Sequence, residues 1–136
     1  MALKSVTLQL PEELYRAMRQ AAEASHRSIE AVLLESAEKF WDDLTSTDID
    51  TLLEQMSSYS DAQLWTVVYR RLTDEQSRLL SSLSDKNKRG ELTTSEQTEL
   101  EQLLGLVNRH MLLRSQALLL LQQRGRDVET YLKTGV

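Results

Sequence analysis

The sequence predicts a mainly α protein whose one strand stands at the start and is followed by helices alone. Three observations carry this expectation. Val6, Leu8 and Leu10 alternate with Ser5, Thr7 and Gln9, the period of two of a strand that is apolar on one face. After Pro11 the apolar residues recur at three and four instead, and capping signals and glycines divide the chain at helical intervals. No second alternating segment follows. A lone strand must therefore find its ladder in another chain, most simply the same strand of a second copy, antiparallel about a two-fold axis.

The elements follow in order. Pro11 ends the strand and opens a helix to about Ser25, with Glu12 and Glu13 in the first turn and Leu14, Met18, Ala21 and Ala22 as its inner stripe. Ser25-His-Arg-Ser28 breaks the pattern, and Ser28 caps a second helix, roughly Ile29 to Asp43. Residues 44–47, Leu-Thr-Ser-Thr, are the best boundary, which gives domains 1–45 and 46–136. Thr47 can cap a short helix, Asp48 to about Met56. Ser60-Asp-Ala-Gln63, Thr73-Asp-Glu-Gln76 and Thr94-Ser-Glu-Gln97 read as capping boxes. They open helices to about Leu72, Arg89 and Arg124, the last two closed by Gly90 and Gly125. A last short turn spans Asp127 to Lys133.

Composition narrows the function. The chain has 136 residues, 40% apolar and 27% charged, which suits one domain or two small ones. It has no cysteine, so disulfides, thiolate metal sites and cysteine nucleophiles are excluded. The Met-Ala-Leu-Lys start has no apolar leader pattern, and Ala117 to Leu121, the longest apolar run, is too short to span a bilayer, so a cytoplasmic protein is expected. Net charge is −5, which argues against a general nucleic-acid coat. Residues 1–45 set Lys4, Arg16, Arg19, Arg27 and Lys39 against eight carboxylates, and the remainder is acidic too. Any DNA contact must be local.

The strand VTLQL, the PEEL entry, the loop SHRS and the pattern IEAVLLESAEKF together resemble a ribbon-helix-helix domain of the Arc, MetJ and CopG kind, over about a third of the chain. The resemblance implies a homodimer through the N-terminal strand, with the paired ribbon in the major groove of double-stranded DNA. Ser5, Thr7 and Gln9 would face the bases, with Gln9 suited to a bidentate contact with adenine. Ser28 with the N–H groups of Ile29 and Glu30 would hold a phosphate, and Lys4 and Arg27 would add positive charge. Val6, Leu8 and Leu10 would face the dimer core with Leu14, Val32 and Phe40. His26 takes the loop position usually given to glycine and must accept a positive φ. No arginine or lysine stands among the three outward strand positions.

Helical tails after such domains commonly bind a toxin, and by that analogy the expected function is a dimeric DNA-binding transcriptional regulator, the antitoxin of a toxin–antitoxin pair. The toxin surface is expected on the long helix at Leu113, Ala117, Leu120 and Leu121, where its C-terminal half is apolar nearly all round. A core helix packed in a hairpin with residues 74–89 is the plainer account of those residues. The alternative function is an interaction or adaptor protein that uses the N-terminal module only to dimerise. No cofactor is expected. His26 and His110 sit on different elements, the four glycines form no phosphate loop, and no nucleophile–base pair stands out, so no enzyme is expected. Lys86, Lys88 and Arg89, Arg70 and Arg71, and Glu96, Glu99 and Glu101 read as solvated helix ends and faces. Trp65 and Tyr69, four apart, suit core packing or a partner anchor.

Overall fold

The computed structural model describes residues 3–134, so Met1 and Ala2 of the start lie outside the described residues. Its elements are α1 (Glu12–Ser25), α2 (Ile29–Ser46), α3 (Ile49–Gln55), a 3₁₀ turn (Met56–Ser58), α4 (Asp61–Tyr69), α5 (Asp74–Lys88), α6 (Thr94–Gln123) and α7 (Glu129–Thr134). The expected strand is absent. Residues 3–10 are neither helix nor ladder, and no strand forms among the described residues. A strand exists only as hydrogen bonds between two extended segments, and this chain offers a single one. The ribbon-helix-helix architecture is thereby corrected: an extended segment and two helices precede an all-helical region.

The first compact unit ends at Thr47 and the second begins at Asp48. The expected boundary at 44–47 shifts because Leu44, Thr45 and Ser46 continue α2, with Thr47 as its cap. Asp48, rather than Thr47, then caps α3 by accepting from Thr51 N.

In the first unit α1 begins at Glu12, with Pro11 just outside it, and α1 packs on α2. The turn between them is built on His26, whose φ of 55° lies in the left-handed region. Arg27 N donates to Ala22 O at 2.9 Å, which satisfies a carbonyl at the end of α1. Ser28 Oγ accepts from Ala31 N at 3.1 Å and starts α2. Among the described residues of this unit only Ala22 and Leu44 are buried.

The second unit has a true core. Leu52, Met56, Leu64, Val68, Leu113, Ala117 and Leu121 are buried where α6 packs on α3, the 3₁₀ turn and α4. Leu83, Leu100 and Leu103 form a second cluster, with Leu80 and Leu92, inside the expected hairpin of α5 and α6. The boxes at Ser60 and Thr73 form as read, whereas the third sits at Thr93 and Glu96, one residue early. Gly90 (φ 70°) and Gly125 (φ 79°) close α5 and α6. Asp61 joins the ends of this unit by accepting from Arg124 Nη1 at 2.9 Å and Arg126 Nε at 2.7 Å. Among the described residues no helix is long and apolar enough to cross a membrane.

Candidate functional site

Each unit carries a candidate site. In the first, the extended segment lies beside the starts of both helices and leaves a cleft of about 510 Å³ lined by Val6, Leu8, Leu10, Tyr15, Ile29 and Leu33, with Thr7 and Glu30. Its apolar walls are open: Val6 is 80% and Leu8 63% exposed. Val6, Leu8 and Leu10 are among the residues expected to face a dimer core, and within one chain Val6 and Leu8 stay largely uncovered.

The expected DNA-contacting residues scatter around this cleft. Lys4, Ser5, Thr7 and Gln9 are all exposed. Thr7 lines the cleft together with Val6 and Leu8, so the two-faced alternation is lost there; without a ladder the segment has no pleat to enforce it. Ser28 and Ile29 open α2, where the first N–H groups have no partner within the helix. Arg27 differs from expectation. Its guanidinium is paired with the Glu35 carboxylate and also donates to Ala31 O at 3.3 Å, so its charge is spent inside the unit.

In the second unit, Leu113, Ala117 and Leu121, expected on a partner surface, belong to the core, and Leu120 is half-buried. Leu113 is 1% exposed. The exposed apolar residues of α6 are instead Leu104, Met111, Leu112 and Leu119, which share one helical face. Lys86 pairs with Glu96, Arg89 with Glu91, and Glu96 also caps α6, so these groups serve the hairpin. Trp65 stacks on Tyr69 with ring centres 5.8 Å apart, and Tyr69 meets Tyr131 edge-on at 5.6 Å.

A feature missed in the sequence lies between the segment that follows α4, the start of α5 and α6. Arg71, Ser77, His110, Met111 and Arg114 line a cleft of about 270 Å³. Arg71 Nη1 donates to Val68 O at 2.7 Å and Arg70 O at 2.9 Å, and Arg114 Nε and Nη2 donate to the same two carbonyls at 3.2 and 3.3 Å. Cations at the end of α4 thus satisfy its last carbonyls. Beside them His110 is 7% exposed, and its Nε2 is buried without a hydrogen bond. Burial first, then the charges of Arg70, Arg114, Arg109 and Arg71, push its pKa down to about 4, so the ring is neutral at pH 7. The signal was present in the sequence: His110 stands seven residues from both Leu103 and Ala117, in register with the buried face. Among the described residues no group of three His, Cys, Asp or Glu is placed to hold a metal.

No family model, no curated protein and no solved structure matches this chain. The two clefts therefore stand on their chemistry alone.

Proposed function

We propose that the protein works as a homodimer built on its N-terminal unit, and that this dimer is a DNA-binding transcriptional regulator. The open cleft at Val6, Leu8, Leu10, Tyr15, Ile29 and Leu33 is the observation that carries it. A two-helix unit with so few buried residues is below the size at which a chain buries enough surface alone, and oligomerisation is the usual remedy. A second copy of the same unit, related by a two-fold axis, brings an identical apolar surface to the cleft. The dimer then carries Lys4, Ser5, Thr7 and Gln9 and the N-terminus of α2 twice over. Phosphates would meet Lys4 and the N–H groups of Ile29 and Glu30, and bases would meet Gln9 and Thr7. In this scheme the helical unit supplies the contact to a toxin, on the face of Leu104, Met111, Leu112 and Leu119.

A second reading has its own support. Net charge is −5 and Arg27 is paired, which favours a dimeric adaptor without DNA. Sedimentation velocity at micromolar concentration, with and without the DNA upstream of the gene, tests both. The regulator gives a dimer whose log affinity for DNA falls linearly with log salt, with a slope lowered by about one unit in Lys4→Ala. A dimer that ignores DNA leaves the adaptor. A folded monomer, unchanged by Leu8→Asp, overturns both.

A further inference from the structure

Along α6 the exposed residues Leu104, Asn108, Met111, Leu112, Ser115 and Leu119 fall within an arc of about 100°, taking 3.6 residues per turn. Four of them are apolar and between 46% and 53% exposed. Arg109 and Arg114 are the only Lys, Arg, Asp or Glu residues from 102 to 123, and by helical position both lie off this arc. A strip about 22 Å long is therefore apolar, with two neutral polar groups near its middle. Apolar area without charge marks the core of an interface rather than ordinary surface.

The positions also read alike from either end. About the midpoint between Met111 and Leu112, Leu104 mirrors Leu119, Asn108 mirrors Ser115, and Met111 mirrors Leu112. Two antiparallel helices related by a two-fold axis require such matching, because the axis sets residues equally far from it side by side. A foreign partner asks for no symmetry of this kind. The polar pair matches as well. The Ser115 hydroxyl donates its proton to Met111 O at 2.9 Å and keeps lone pairs that can accept from an Asn108 amide. Gly105 stands at the edge of the strip in mid-helix, where glycine costs stability relative to alanine, yet a Cβ there would meet nothing within 4 Å. Nothing within the chain asks for glycine there, whereas a closely approaching second helix does.

We propose that this face of α6 pairs antiparallel with the same face of a second copy of the chain. Leu104 then packs beside Leu119, Met111 beside Leu112, and Asn108 donates to Ser115, about a two-fold axis at the level of Met111 and Leu112. The face is the one given above to a toxin, so a toxin bound there would have to displace the second copy. The pairing lies wholly within the second unit and rests neither on DNA nor on the N-terminal dimer.

The chain has no cysteine, so cysteines introduced singly into the full-length protein report the pairing by disulfide formation under mild oxidation. Leu112→Cys stands beside the axis and should link to its own copy. Leu104→Cys and Leu119→Cys each lie about 22 Å along the helix from their own copies, beyond the reach of a disulfide. Each should stay unlinked alone, and the two mixed should give a linked heterodimer. Leu112 is 53% exposed, so Leu112→Glu leaves the fold intact and sets two like charges at the axis. Added to the Leu104→Cys and Leu119→Cys chains, it should lower their mixed yield about tenfold, with helicity unchanged by circular dichroism. Self-linking of Leu104→Cys as strong as the mixed link would show a parallel or disordered association. Absence of the mixed link would leave the face to a toxin or another partner. Either result, or a mixed yield unmoved by Leu112→Glu in a folded chain, overturns the proposal.

Discussion

Arg71 Nη2 donates to the hydroxyl of Tyr131 at 2.7 Å, across 60 residues of sequence. The bond ties the segment after α4 to the last helix, and the Tyr131 ring meets Tyr69 on the way. A charged donor makes this stronger than a neutral hydrogen bond. Tyr131→Phe keeps the ring and removes the acceptor, and should cost roughly 1.5–3 kcal/mol in urea unfolding. An unchanged midpoint would show that α7 is held by its apolar contacts alone.

Leu113→Ala should destabilise the helical unit by roughly 2–5 kcal/mol, because the deleted atoms leave a cavity among fully packed neighbours. Leu113→Glu should abolish its cooperative melting with no partner present, followed by circular dichroism. Retained melting would return Leu113 to an outer surface.

Ser28→Ala removes the acceptor for Ala31 N and should cost about 0.5–2 kcal/mol of α2 stability. Ser28→Asp should restore it. Amide exchange in the first turn of α2 reports both directly.

Acid should weaken the protein in two separate windows. The pKa of His110 is depressed to about 4 in the fold against 6.5 ordinarily, so between those values the unfolded chain holds the extra proton. Stability therefore falls as pH drops from about 6.5 to about 4, and levels off below. Asp61 is held below its ordinary 3.8, chiefly by the hydrogen bond from Arg124, so its contribution is lost only under more acid conditions. Urea midpoints against pH should show a flattened upper window in His110→Gln and a flattened lower one in Asp61→Asn.

The helices were legible because their signals are local. A capping box joins groups three residues apart, so Ser60 with Gln63 and Thr73 with Gln76 needed no knowledge of the fold. Thr93 and Thr94 each have a suitable residue three positions on, and sequence alone does not choose between them. Glu96 decides it, since its other oxygen takes Lys86 from the facing helix. The strand misled for the opposite reason. Alternation belongs to one segment, whereas a ladder belongs to two. Leu113, Ala117 and Leu121 looked wider than one neighbour covers because α6 has several, and α3, the 3₁₀ turn and α4 all pack against it. Arg70, Arg71, Arg109 and Arg114 were visible as residues, but their convergence on His110 arises only when α4 lies on α6.

The bonds that close the helical unit, Asp61 to Arg124 and Arg71 to Tyr131, each wait on a residue 60 or more positions downstream. On a ribosome, which releases a chain from its N-terminus, the first unit emerges long before that closure is possible. During that interval Val6 and Leu8 lie open to solvent while neighbouring ribosomes on the same message extrude identical segments. In the dimer proposed above, newly made chains would then meet through Val6 and Leu8 before the second unit of either is complete, and each pair would come from a single transcript. Subunits tagged on two separate messages would mix less than subunits refolded together.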